Sequence, residues 1–245
     1  MGFRPYVSSF GPRFGERYKL ILYVRPKPNY IVLSAIITQA AYIALFAGSG
    51  AICLAAIPRA MTFDNAEIRR GIVGMLLATG LWGAFKTAFF VVPDAFREPA
   101  YTVGLVFGFA TIWAWLYFCS AYTGRTYHRR RTVQWASAAI LLAVVSVKLT
   151  NPIHGLYFTT REATEPFAYL AIEHGLFHWA VTGLSYVLTS VGLFMIFELY
   201  FNSEYDTRPL TVLIALLAIP VVVDVAALAM PGLINVIYAP IGVAA

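Results

Sequence analysis

Three of the four histidines, His154, His174 and His178, fall within one stretch, 147–178, bordered by Lys148 and Glu173. Imidazole is the side chain whose charge changes near neutral pH with small shifts in its surroundings. Here a nearby cation would oppose protonation and a nearby acid would favour it. Such a set could respond to pH, or bind an anionic or metal ligand. His174 and His178 are four residues apart, which on a helix puts them on one face. That spacing can hold a metal, but the glutamate that zinc proteases place between two histidines is missing, and no third ligand stands in a matching pattern. No metal and no cofactor are therefore expected. The plain alternative is that these are interface histidines bonded to backbone carbonyls.

Further charges lie inside apolar runs. Lys86 and Asp224 each stand six residues before the end of a run, and Lys148 stands two before the end of another. A charge at the bilayer centre costs at least about 2.5–3.5 kcal/mol, so such groups face a bundle interior and take a partner. A structural ion pair is the plain reading of Lys86 and Asp224, and snorkelling into water that of Lys148 and Glu173. Lys86, Lys148, His154, Glu173, His174, His178 and Asp224 are the candidate sensing or ligand-contacting residues. Asn151-Pro152 breaks the helix between the two groups, because proline lacks an amide donor and disfavours a helical residue before it.

The elements that position these residues are membrane spans. The chain of 245 residues is 60% hydrophobic and 12% charged, with mean hydropathy +0.71. A soluble domain is about half apolar and about a quarter charged. A spanning helix takes roughly 20 apolar residues. The expected architecture is all-α, a polytopic membrane helix bundle with six complete spans, at about 30–57, 71–92, 102–122, 133–150, 172–201 and 210–230, plus the start of a seventh at 233–245. Pro58, Pro93 and Pro231 close spans, and Pro220 kinks the sixth. The small residues Ala47 to Ala51, and the Gly104 and Gly108 pair, suit close helix contacts. Residues 1–29 are basic and broken by Gly and Pro, so they read as a disordered or interfacial tail, and 30–245 as one transmembrane domain. Residues 151–171 read as a long loop. Trp113, Trp115, Trp135 and Trp179 read as packing or interface anchors. Cys53 and Cys119 lie in apolar runs and give no disulfide or redox signal.

A net charge of +6 does not indicate nucleic acid here, because the basic residues sit in short loops beside apolar runs. Arg59, Arg69, Arg70, Arg125, Arg129, Arg130, Arg131 and Arg208 lie in the odd-numbered loops, against Arg97 and Arg161 in the even ones. Eight against two places the odd loops in the cytoplasm and the amino terminus outside. The tail, with Arg4, Arg13, Arg17, Lys19, Arg25 and Lys27, opposes that count. With this orientation every intramembrane charge and histidine falls within roughly 10 Å of the outer boundary, at about 1.5 Å per residue.

Three motifs occur in order: Tyr122-Thr123-Gly124-Arg125 after the third span, Leu149-Thr150-Asn151-Pro152-Ile153-His154 after the fourth, and Phe177-His178-Trp179 through Ser185-Tyr186 in the fifth. Together they resemble the amino-terminal seven-helix sensor region of microbial histidine kinases, and the Tyr205-to-Leu210 turn looks like haloarchaeal members. The resemblance covers about 30–245. It implies a seven-helix bundle in the cell membrane, amino terminus outside, passing a signal to cytoplasmic domains in a two-component system. It also adds Asn151, with Pro152 and His154, as motif positions. The seventh span is incomplete and no kinase domain follows, so the chain is expected to be a fragment of a longer kinase or a stand-alone member.

The expected function is a non-catalytic sensor module that detects an extracytoplasmic or intramembrane stimulus. Its expected partners are the lipid bilayer, kinase or PAS-type domains in cis or trans, a second copy in a homodimer, and an unknown small ligand. The alternative is a transporter or channel component using Lys86 and Asp224, which a liposome flux assay would distinguish. A retinal protein would need a lysine in its last span. An enzyme using His174 and His178 would need a serine, cysteine or acid at a spacing that makes a nucleophile or metal site, and none stands so.

Overall fold

The computed structural model describes residues 28–164 and 169–202. The sixth span, the start of the seventh, Asp224, Pro220 and the tail up to residue 27 lie outside the described residues. Within them the chain is mostly helical: α1 (Pro28–Ala60), α2 (Ala66–Val91), α3 (Asp94–Tyr122), α4 (Arg131–Leu149), the single turn α5 (Asn151–His154) and α6 (Leu176–Asn202). Five of these helices, all but α5, are long and apolar enough to cross a membrane.

The helix ends follow local chemistry. Asn65 caps α2, its side chain accepting from the Glu67 and Ile68 amides at 2.9 and 3.2 Å, which satisfies two of the unpaired donors of the first turn. Pro93 stands just before α3. Three expectations need correcting here. Pro58 does not close the first span but lies inside α1. Residues 94–101, expected as a loop, form the first turns of α3 despite Pro99. An apolar stripe can carry a helix past one proline at the loss of a single backbone bond. The third correction matters most for the site. Segment 158–174 is a β-hairpin, with β1 (Phe158–Ala163) paired antiparallel to β2 (Tyr169–His174). The fifth span therefore starts at Leu176 rather than 172, and Ile172, Glu173 and His174 belong to a strand.

α2 packs between α1 and α3, and α6 and α4 lie against α3. α1 and α2 meet at small residues as expected: a Cβ on Gly83 would stand 2.9 Å from Gly50 Cα, so the two backbones touch. On α3, Gly104 and Gly108 accept α2, with the Trp82 ring seated against Gly108. Two cores result. At the hairpin end Phe46, Phe89, Phe90, Tyr101, Tyr157 and Phe158 pack together. At the opposite end, which carries the arginine-rich turns, Trp115, Phe118 and Cys119 meet Met195 and Ile196. Among the described residues, Lys148 is the one residue of α4 that is buried.

Candidate functional site at the hairpin end

Lys86, Lys148, Asn151, His174 and His178 converge at one end of the bundle, and two tyrosines that the sequence did not single out link them. The Lys86 ammonium lies 4.7 Å from the centre of the Tyr101 ring. The Tyr101 hydroxyl is 3.1 Å from His174 Nε2. The His174 and His178 rings stack at 3.7 Å between centroids, 16° apart. His178 meets the edge of Tyr157 at 5.4 Å, and the Lys148 ammonium stands 5.4 Å from the same tyrosine ring. Lys148 then returns to α3, donating to the Leu105 carbonyl at 2.7 Å and lying 4.9 Å from the Phe109 ring. One chain of contacts thus joins α2, α3, α4, α6 and the hairpin.

The histidines do not meet in the way their spacing suggests. His174 ends β2, Gly175 turns the chain, and His178 sits in the first turn of α6. Their rings stack because Gly175 lets the strand end run close to the loop after α5. Its amide donates to the Tyr157 carbonyl at 2.9 Å, and a Cβ there would stand 2.2 Å from the Leu156 carbonyl oxygen. Burial, with the Lys86 ammonium nearby, holds the His174 imidazole well below its usual range, at about 4. Any charge change on this histidine therefore belongs to acid rather than to neutral pH. Burial likewise pushes the Tyr157 phenol up.

Asn151 is the anchor of the loop. Its amide donates to the Phe158 carbonyl at 2.8 Å, and its side-chain oxygen accepts from the Tyr157 and Phe158 amides at 2.9 and 3.2 Å. Pro152 suits the start of α5, where a missing donor costs nothing, and Gly155 closes that turn with φ +60°. The Asn-Pro-x-His-Gly run therefore builds a clamp that presents Tyr157 and Phe158 to the core.

The other candidates are placed elsewhere. His154 serves its own turn: Nδ1 accepts from the Leu156 amide at 3.0 Å, so Nε2 carries the proton and faces Thr150 Oγ1 at 3.1 Å. Glu173 faces solvent and pairs with Arg161 at 3.2 Å, with both side chains more than half exposed, a contact worth little. Lys148, only 3% exposed, does not snorkel; its ammonium turns inward to Leu105. The Lys86 and Asp224 pairing lies outside the described residues. No group of three or more metal-ligating side chains occurs among the described residues.

Apolar helices of spanning length, packed through small residues, with charged groups drawn inward at one end, define an integral membrane helix bundle. The chain belongs to the family described as the N-terminal 7TM region of histidine kinase, which it matches over residues 32–245. No curated protein and no solved structure matches it. Membership identifies it as a membrane sensor region of the histidine kinase type.

Proposed function

We propose that this chain is the non-catalytic input module of a signal-transducing histidine kinase, with the hairpin end outside the cell and the arginine-rich end in the cytoplasm. A stimulus acting at the hairpin end displaces the contact chain from Lys86 to Lys148. Because that chain touches four helices and the hairpin, a local change there becomes a relative shift of helices. The shift reaches kinase or PAS-type domains at the cytoplasmic end, in cis or in trans, and a second copy of the chain is the natural partner for a kinase that works as a dimer. The single observation that supports this reading is the continuous run of buried ionisable and aromatic side chains at one end of a bundle belonging to this family. The eight-to-two arginine count supports the orientation.

The test is signal output from the intact kinase, or from this region fused to a reporter kinase, under changes of external pH and added small ligands. Lys148→Met keeps the buried stem and removes the charge. The Leu105 carbonyl that loses its second donor remains within the α3 ladder, so this variant should insert and fold. Loss of response in folded Lys148→Met, His174→Gln or His178→Gln protein supports the reading. If all three respond as wild type, the cluster is architecture alone.

A further inference from the structure

The arginine-rich end holds a second cluster that the sequence reading passed over. His128 lies in a 3-10 turn (Tyr127–Arg129) between α3 and α4, yet its side chain is only 4% exposed. Its Nδ1 is 2.9 Å from Ser120 Oγ on α3, and its backbone amide donates to that same oxygen at 3.3 Å. The Ser120 hydroxyl is also 3.3 Å from the Arg125 carbonyl, placed to donate to it. On the far side Nε2 lies 3.2 Å from Glu67 Oε2 on α2, at ion-pair distance rather than in an aligned hydrogen bond. Arg129 holds the same carboxylate through both oxygens at 2.8 and 2.6 Å, and this bonding raises its own proton affinity further. Arg125 pairs with Glu198 on α6.

The donor count discriminates between the two forms of the ring. A hydroxyl has one proton to give. If the imidazole is neutral with its hydrogen on Nε2, Nδ1 needs the Ser120 proton, and the Arg125 carbonyl loses its donor; with its hydrogen on Nδ1 the Ser120 bonds are kept, but the Nε2 lone pair faces the Glu67 carboxylate at 3.2 Å. If the ring is an imidazolium, Nδ1 donates to Ser120 Oγ, Ser120 donates to the Arg125 carbonyl, and Nε2 carries positive charge toward Glu67. Every contact is then used. The misaligned approach to Glu67 is also one that charge attraction uses better than a directional bond. Among the described residues, the charged and titratable groups facing the ring are Glu67 from α2, Tyr117 from α3, at 4.8 Å between rings, and, from its own turn, Arg129 through the shared Glu67 carboxylate, while the Arg125 side chain turns to Glu198. From α4 the Gln134 amide donates to the His128 backbone carbonyl at 2.9 Å.

We infer that His128 is a proton-dependent latch on the turn between α3 and α4, closed onto α2 and α3 when the imidazole carries a proton and loosened when it does not. It is a second point of control, at the opposite end from the hairpin cluster, and it stands whichever way the chain faces. The closed turn holds a proton, so the latch holds in acid and loosens as pH rises.

The test uses the full chain in nanodiscs with spin labels on cysteines introduced at the exposed positions Asp64 and Thr132, the native Cys53 and Cys119 being buried. The wild-type distance distribution should be single at pH 5.5 and broadened or shifted at pH 8.5, while His128→Gln gives one distribution at both. A wild-type distribution identical at the two pH values, or a pH response that survives in His128→Gln, overturns the inference. If His128→Gln fails to fold, Glu67→Gln serves instead. It removes the carboxylate charge that favours the imidazolium over either neutral form, so the midpoint of the wild-type transition should fall. A midpoint that does not move overturns the inference equally.

Discussion

Replacing Asn151 with alanine should unfasten the hairpin end more than any other single truncation of a neutral side chain there. Asn151 is 2% exposed and makes three hydrogen bonds, all to the backbone of Tyr157 and Phe158. Alanine leaves two amides and one carbonyl without those partners beside a packed aromatic core. Each abandoned buried group costs about 1–3 kcal/mol, and water can reach part of this boundary, so the expected loss is about 3–5 kcal/mol. For a chain of this size about 2–4 °C follows each kcal/mol, giving a melting temperature lower by roughly 6–20 °C in mild detergent. The effect should also propagate. Tyr157 meets His178 at 5.4 Å and Phe158 meets Tyr101 at 5.0 Å, so imidazole resonances of both His174 and His178 should shift in the variant. Thr160→Ala, on the exposed face of β1, is the control and should change melting by little. A loss below about 1 kcal/mol with unmoved histidine resonances would refute the clamp, because three buried bonds cannot be removed at that cost unless they contribute nothing.

Gly175→Ala should be at least as damaging, since its Cβ would stand 2.2 Å from the Leu156 carbonyl; in the double variant with Asn151→Ala the losses should be less than additive, because both residues pin Tyr157, and additive melting shifts would separate them. His174 is held neutral in the folded chain down to about pH 4, so the unfolded chain binds its proton first. Stability should then fall as pH drops from about 6.5 toward 4, and His174→Gln should flatten that part of the melting profile; an unchanged slope would contradict the burial argument. For orientation, cysteines at Thr159 and Tyr127 in intact cells should react with an impermeant reagent at 159 only, and the opposite pattern reverses the topology. Lys86→Gln and Asp224→Asn together should lose less stability than the sum of the singles if the two are in contact, whereas additive losses exclude contact.

How much of this was legible in the sequence depends on the range of the interaction. The spans were readable because apolar length is a property of the segment itself: α2, α3, α4 and α6 all stand where the runs lie, to within a few residues at most ends. That Lys86, Lys148 and His178 stand toward one end was readable, because position is fixed by counting along each helix, whereas His174 reaches the same end on a strand. The hairpin was not, because a six-residue strand such as Tyr169–His174 merges with the apolar run of α6, and only Gly175 marks the break. The two tyrosines escaped for another reason. Tyr101 and Tyr157 sit where a tyrosine commonly anchors a membrane boundary, and only the tertiary meeting of α3 with the loop after α5 turns them into the links between lysine and histidine. His128 was hidden by its neighbours. In a run of arginines it reads as one more basic residue, and what sets it apart is Glu67, sixty-one residues earlier. An acid that opens a helix among the arginines of these turns is a sequence signal in its own right. It stands against the charge bias of its surroundings, so a cation must come to it, and here two do.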